Sequence, residues 1–233
     1  MARFGTFFGP NLPAGEYDVL LIKGRDTFPT RFVLAYDPDA PYTKEDREVQ
    51  RQTTLRLYNL SETCAWLYEA LAGVRDRART VETEDAALAE RLTQLADRAD
   101  EHIGRIVALE GDGYVAEGEE LYERISQLYR LVSSYPGRPS DSQVERAVQL
   151  EGDFSDLEKS LQPFLTEELL AVNEALDKAG LPAITYLDKE TFLGSEAGSG
   201  GSDSGGGRLF WKGDEMYRVL TGTPLGHRWL GGL

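Results

Sequence analysis

Between Thr43 and Lys178, apolar residues recur at alternating three- and four-residue steps in four successive blocks. That spacing puts each block's apolar residues on one stripe of an α-helix, and a helix with one apolar stripe must bury it against another. The first block carries Leu57, Leu60, Cys64, Leu67, Leu71 and Val74. The second carries Leu88, Leu92, Leu95, Ala99, Ile103 and Ile106, and ends at Gly111 and Gly113. The third carries Leu121, Ile125, Leu128, Val132 and Tyr135 and stops at Pro136-Gly137-Arg138-Pro139. The fourth runs through Val144, Val148, Leu157, Leu161, Leu165, Val172 and Leu176 to Gly180.

Start signals agree with this division. Thr43 with Glu45 and Asp46 reads as a helix start, as does Thr83 with Glu84 and Asp85. Ser140 with Gln143 forms a capping box. Pro163 falls inside the fourth pattern, where a missing N–H and a clashing ring should kink the helix or restart it near Thr166. Short connections favour antiparallel neighbours, so an up-down-up-down order is the economical arrangement. The fold class expected is mainly α: an antiparallel four-helix bundle over 42–184, preceded by a short β-hairpin and followed by a flexible tail.

The hairpin is expected within 1–41. Glu16–Ile22 and Arg31–Tyr36 are rich in β-branched and aromatic residues, with turn chemistry in Lys23-Gly24-Arg25-Asp26. Two strands are not stable alone. The segment therefore reads as the last hairpin of a β-sandwich, with Val19, Leu21, Phe32 and Leu34 awaiting a protein partner. At the other end, 185–207 is expected to be a Gly/Ser-rich linker, most marked from Gly194 to Gly207. Beyond it, 208–233 concentrates aromatic and apolar residues with mild basic charge. It reads as a tethered docking peptide, with Phe210, Trp211, Tyr217 and Trp229 as contact residues.

Composition narrows the chemistry. With 40 acidic against 25 basic residues, the formal net charge is −15, which argues against nucleic acid. The single cysteine, Cys64, excludes an intrachain disulfide framework and a cysteine zinc site, and its stripe position makes it a small buried hydrophobe. No apolar run reaches the roughly 20 residues needed to span a bilayer, and the first residues carry no signal-peptide pattern. His102 has no second histidine at ligand spacing, so a surface or hydrogen-bonded position is expected for it; His227 sits in the tail. The acidic run Asp112–Glu120 lacks the calcium-loop pattern, and Glu117, Glu119 and Glu120 simply load the third helix start. Gly205-Gly206-Gly207 lacks the flanks of a phosphate loop. No catalytic constellation, cofactor site or metal site is expected.

The order Pro13-Ala14-Gly15-Glu16-Tyr17-Asp18-Val19-Leu20, then Asp37-Pro38, then a helix opening with Glu45-Asp46 and Gln50 or Gln52, adds a resemblance. It continues through Leu131-Val132, Pro139-Ser140, Asn173, Leu176 and Gly180-Leu181-Pro182-Ala183-Ile184. Over roughly Gly9 to Ile184 the chain resembles the C-terminal region of large bacterial proteins with sortilin-like (VPS10-type) BNR-repeat β-propellers, often labelled glycosyl hydrolases. The resemblance implies an exported setting, periplasmic or extracellular, and a helical region that follows a propeller and a small β-sandwich. The catalytic label belongs to the propeller, which this chain lacks, so no catalytic residue transfers. The expected role is a non-enzymatic accessory or protein-interaction module. A detached portion of a glycoside-hydrolase-like enzyme is the alternative, and a homo-oligomeric structural protein is the third reading.

Overall fold

The computed structural model describes residues 9–23, 26–108, 120–198, 208–212, 215–222 and 225–231, with backbone alone from 194 on. It divides into two compact units. One comprises Met1–Leu55, Ser133–Arg138 and Glu190–Leu233; the other comprises Arg56–Val132 and Pro139–Lys189.

The second unit is the helical bundle. Helix α1 (Lys44–Thr80) has 37 residues, about 55 Å at 1.5 Å per residue, and contributes its part from Arg56 onward to this unit. Helices α2 (Ala86–Ile106), α3 (Leu121–Ser133) and α4 (Asp141–Pro163) follow. A π-helical turn (Phe164–Glu168) then leads directly into α5 (Leu169–Lys178). The core is built from the expected stripes: Leu57, Leu71, Val74, Ile103, Ile106, Ile125, Leu161 and Leu176 are almost fully enclosed. Each such side chain is worth about 1.5–3 kcal/mol, whereas an exposed ion pair contributes about 0–1 kcal/mol. The stripes therefore hold the bundle, and the ion pairs serve mainly to report its directions.

Those directions differ from the up-down-up-down order. Along α2 the contacts with the fourth helix run in opposite sequence: Arg98 meets Glu168, His102 meets Phe164, and Arg105 meets Ser160. Arg75 and Arg79 both meet Asp100, at 3.1 and 2.5 Å. On α3, Tyr129 packs on Tyr58 with ring centroids 6.1 Å apart, while Glu123 acts electrostatically on Cys64. So α3 also runs against α1, and Arg124 pairs with Asp153 on α4. By contrast α1 and the α4–α5 rod are parallel. Arg56 meets Glu151 near their starts, and Arg77 bonds to Thr185 just beyond α5. Neighbouring columns are antiparallel as expected, but α2 and α3 run the same way in series. The Ala108 N–H reaches both Glu123 carboxylate oxygens at 3.3 Å where the two helices adjoin. The fourteen positions from 107 to 120 that join them are long enough to free α3 from the hairpin rule.

Local signals set the helix ends. Thr43 accepts from the Asp46 N–H, and Asp46 accepts in return from the Thr43 N–H and hydroxyl. Ser140 and Gln143 close a second reciprocal box. The α2 cap is Asp85, which accepts from Ala87 and Leu88; Thr83 instead accepts from the Asp85 N–H, so the helix starts two residues later than Thr83 implied. Pro163 interrupts the i→i−4 ladder without breaking the rod, because the Leu169 N–H bonds to the Phe164 carbonyl across a widened turn. The wider turn shifts the phase after it, so that Leu169 is buried five residues beyond Phe164. Two other positions depart from the expected stripe. Phe164 is enclosed where Leu165 was expected to be, and earlier in the same helix Ala147 and Leu150 are buried while Val148 is exposed. Tyr135 lies beyond α3 and is exposed. Gly180 takes φ +70° and ends α5 in a Schellman turn, with Gly180 N–H on the Asp177 carbonyl and Leu181 N–H on the Leu176 carbonyl.

After that turn, residues 181–188 form a strap without regular secondary structure, held, together with Lys189, by four polar clamps. Asn173 grips Ile184 on both sides, donating to its carbonyl at 2.9 Å and accepting its N–H at 2.8 Å. Arg77 takes Thr185, the Trp66 indole N–H takes the Leu187 carbonyl at 2.7 Å, and Lys189 donates to Thr63 Oγ1 at 2.8 Å. Helix α6 (Lys189–Gly198) follows. The segment expected as a linker thus holds the strap's end and a helix over 185–198, and residues 199–207 lie outside the described residues.

The first unit contains the sheet. Strands β1 (Gly15–Lys23) and β2 (Asp26–Leu34) pair antiparallel, joined by the two residues 24–25. Strands β3 (Arg208–Lys212), β4 (Glu215–Gly222) and β5 (Leu225–Gly231) come from the C-terminal segment. The order is β2-β1-β5-β4-β3, antiparallel throughout. β1 is therefore an interior strand and β2 an edge, and Pro29 is tolerated in β2 because an edge need not bond on both sides. Also in this unit, the Arg47 guanidinium lies 4.2 Å from the Tyr36 ring centre, and Tyr42 meets Tyr135 edge-on at 5.5 Å.

Among the described residues, no helix is long and apolar enough to cross a membrane.

Candidate functional site

The eight residues expected to make partner contacts all fall in the one sheet. On β1, Val19 stands between Thr30 on β2 and Trp229 on β5, and Leu21 stands between Phe28 and His227. On β2, Phe32 pairs with Tyr17 and Leu34 with Gly15. Directly opposed residues share a face of a pleated sheet, so Val19, Leu21, Phe32 and Leu34 lie on one face. The first three are half-buried and Leu34 is exposed. The Phe32 ring stacks on Tyr17 at 5.3 Å and 21°. Tyr17 is itself buried and donates its hydroxyl to the Pro13 carbonyl at 2.5 Å, tying the incoming chain to β1. Burial raises the Tyr17 phenol above its usual range, Tyr36 adds to the rise, and Arg51 opposes it.

The C-terminal aromatics do not form one patch. Phe210 pairs with Tyr217, Trp211 with Met216, and Arg218 with Trp229. Pleat parity places positions 211 and 229 on the Val19 face and positions 210 and 217 on the opposite face. The hairpin and the tail, expected as two separate contact elements, are strands of a single ladder.

Opposite the Val19 face, Arg31 bridges to Asp18 at 2.7 Å and Glu16 at 3.9 Å. Its hydrogen bond to Asp18, reinforced by both carboxylates, raises the guanidinium further above its usual range. Two exposed apolar residues of β2 were not anticipated from the sequence. Phe28 is 51% exposed and Val33 is 67% exposed, beside Leu34 at 37%. The strand was expected over Arg31–Tyr36 and instead spans Asp26–Leu34; the alternation of Phe28, Thr30 and Phe32 was the available signal.

Elsewhere the polar chemistry is enclosed. Cys64 is buried among the stripes, and burial, reinforced by Glu123 and Glu158, pushes its thiol up to about 12. Burial likewise raises the Glu123 carboxyl, against the hydrogen bonds it accepts from the backbone. Tyr122 and Tyr129 are both pushed up to about 12 by burial. His102 corrects the expectation of a surface or hydrogen-bonded histidine: it is 3% exposed, and neither ring nitrogen has a hydrogen-bond partner. Among the described residues, no group of three or more His, Cys, Asp or Glu side chains could hold a metal ion. Two clefts of about 410 and 420 Å³ flank the α1–α2 connection, the second lined by Arg77, Val81 and the strap residues Leu181–Ile184. The acidic positions Asp112, Glu117 and Glu119 and the glycines 205–207 lie outside the described residues.

No protein-family model, curated protein or solved structure matches this chain.

Proposed function

We propose that the chain is a protein-interaction module without catalytic activity of its own, in which the helical bundle is the scaffold and the sheet is the contact element. The observation that carries this reading is the edge strand β2, none of whose residues is buried and which leaves Phe28, Val33 and Leu34 in solvent. Among the described strands β2 has a neighbour on one side only, and a sheet edge that also presents apolar side chains is the combination that accepts an added strand from a partner. The resemblance to the region that follows a BNR-repeat propeller supplies a setting for such a module, an exported multidomain assembly.

The test is affinity purification from the source organism with three forms of the full chain. They are the wild type, a Phe28→Lys/Val33→Lys edge variant, and a Val148→Lys variant on the exposed side of α4. A specific partner should be recovered with wild type and Val148→Lys and lost with the edge variant. Recovery that ignores the edge substitutions, or that fails equally with Val148→Lys, contradicts the reading.

A further inference from the structure

His102 is the one enclosed imidazole among the described residues, and its surroundings single it out. The ring is 3% exposed, and both nitrogens are shielded from solvent with no partner. A neutral imidazole carries one donor and one acceptor, so two hydrogen-bonding positions stand unfilled inside the bundle. The ring instead meets Phe164 at 5.2 Å and 63°. Phe164 opens the π-helical turn, and its carbonyl accepts the i→i−5 bond from Leu169. Pro163, immediately before it, has no N–H to give to the preceding turn. The histidine thus presses on the least regular point of the α4–α5 rod.

The charges around the ring are arranged against a further cation. Arg98 lies one turn before it on α2 and Arg105 about one turn after it, so both share its face. Arg98 is held by Glu101 at 2.6 Å and Glu168 at 3.6 Å, and Arg105 donates to Ser160 Oγ at 2.8 Å. From the π-helical turn, Glu168 is the charged group that acts on the ring. Protonation would leave an imidazolium with two N–H donors and no acceptor in contact, between two guanidiniums whose effect outweighs that of Glu101 and Glu168. A buried charge without partners is the strongest local cause of opening. Glu101 and Glu168 act in the opposite sense on the ring, but more weakly than burial and the two guanidiniums.

We propose that His102 is an acid-sensitive latch, whose protonation releases the π-helical turn Phe164–Glu168 and the start of α5 from α2 while the α1–α3 contacts stay closed. The device is local because the Tyr58–Tyr129 packing on α3 involves other residues. Desolvation, followed by Arg98 and Arg105, holds the imidazole below its ordinary range, so the latch is shut at neutral pH.

The experiment is an imidazole NMR titration of the full chain from pH 7.5 to 4.5, with His227→Gln to assign the two rings. It is paired with hydrogen exchange corrected for intrinsic rate. His102 should stay neutral at about pH 6.5, where a free imidazole is half protonated. Below that, protection over 164–172 should fall by about tenfold per pH unit as the ring takes up its proton, with α3 unchanged. His102→Leu should remove the pH-dependent loss. If that variant does not fold, the wild-type coupling between ring protonation and local exchange decides alone. Ordinary titration of His102 with protection unchanged would overturn the proposal, as would parallel loss of protection in α3.

Discussion

Val19 and Trp229 stand opposite each other in an antiparallel ladder, one near each end of the chain. Val19 also pairs with Thr30, so β1 is bonded on both sides and the edge that a lone hairpin would expose there is occupied from within the chain. This relation changes what a partner can meet: among the described strands the edges are β2 and β3, not β1.

Asn173 acts as a local substitute for a strand, satisfying both backbone groups of Ile184. Asn173→Ala leaves those groups without their partner and should cost about 1–3 kcal/mol in urea unfolding. The Trp66 indole N–H, bonded to Leu187 on the same strap, should shift in the NMR spectrum of the folded variant. An unchanged indole signal with unchanged stability would show that the strap is held without Asn173.

One enclosed group, His102, and one half-buried group, Glu123, give opposite pH slopes. His102 is lowered in the folded state by desolvation and then by Arg98 and Arg105, so the unfolded chain binds its proton first. Stability should fall as pH drops below the unfolded value of about 6.5 and continue falling to the folded value. Glu123 is raised by desolvation, so its folded form holds the proton to higher pH. Its contribution is favourable below the unfolded value and is lost as pH rises through the folded one. Glu123→Gln keeps an acceptor for the Ala108 N–H and should therefore raise the melting temperature at pH 7. His102→Leu should flatten the acid limb. Thermal melts between pH 4.5 and 8 separate the two.

Cys64 should be inert in the native state. Its thiol is enclosed and pushed up to about 12, so at pH 8 the nucleophilic thiolate is scarcely populated. A disulfide-exchange reagent should label it only at the rate of unfolding, and fully in denaturant. Fast labelling of the folded protein would show that the α1–α3 interior opens readily.

How much of this was legible depends on the range of the signal. The α2 stripe, Leu88 to Ile106, is buried as its spacing implied, and the Thr43 and Ser140 caps lie where their short motifs put them. Such features involve residues within one or two turns. Thr83 and Asp85 are competing caps in the same short stretch, and the hydrogen bonds to Ala87 and Leu88 decide for Asp85. The parallel course of α2 and α3 depends on a connection of fourteen residues, which carries no direction in its composition. Pro163 announced an irregularity, but not that a π-helical turn would follow and set the next buried residue, Leu169, five positions after Phe164.

The C-terminal strands were the largest omission. Their runs are separated by Gly213-Asp214 and Thr223-Pro224, pairs with the same two-residue spacing as Gly24-Arg25. That much is hairpin chemistry visible in the sequence. The pairing of β5 with β1 is not, because register between strands so far apart is set by the fold and not by a turn.

Strands from both terminal segments of the chain pair in one sheet. Hydrogen exchange of the β1 amides, Tyr17 to Ile22, in the full chain and in a chain ended after Gly207 tests that pairing most directly. Strong protection is expected in the full chain and its loss, over the β5-facing amides or the whole hairpin, in the shortened one. Equal protection of β1 in both would show that the hairpin stands without β5 and would contradict the joined sheet.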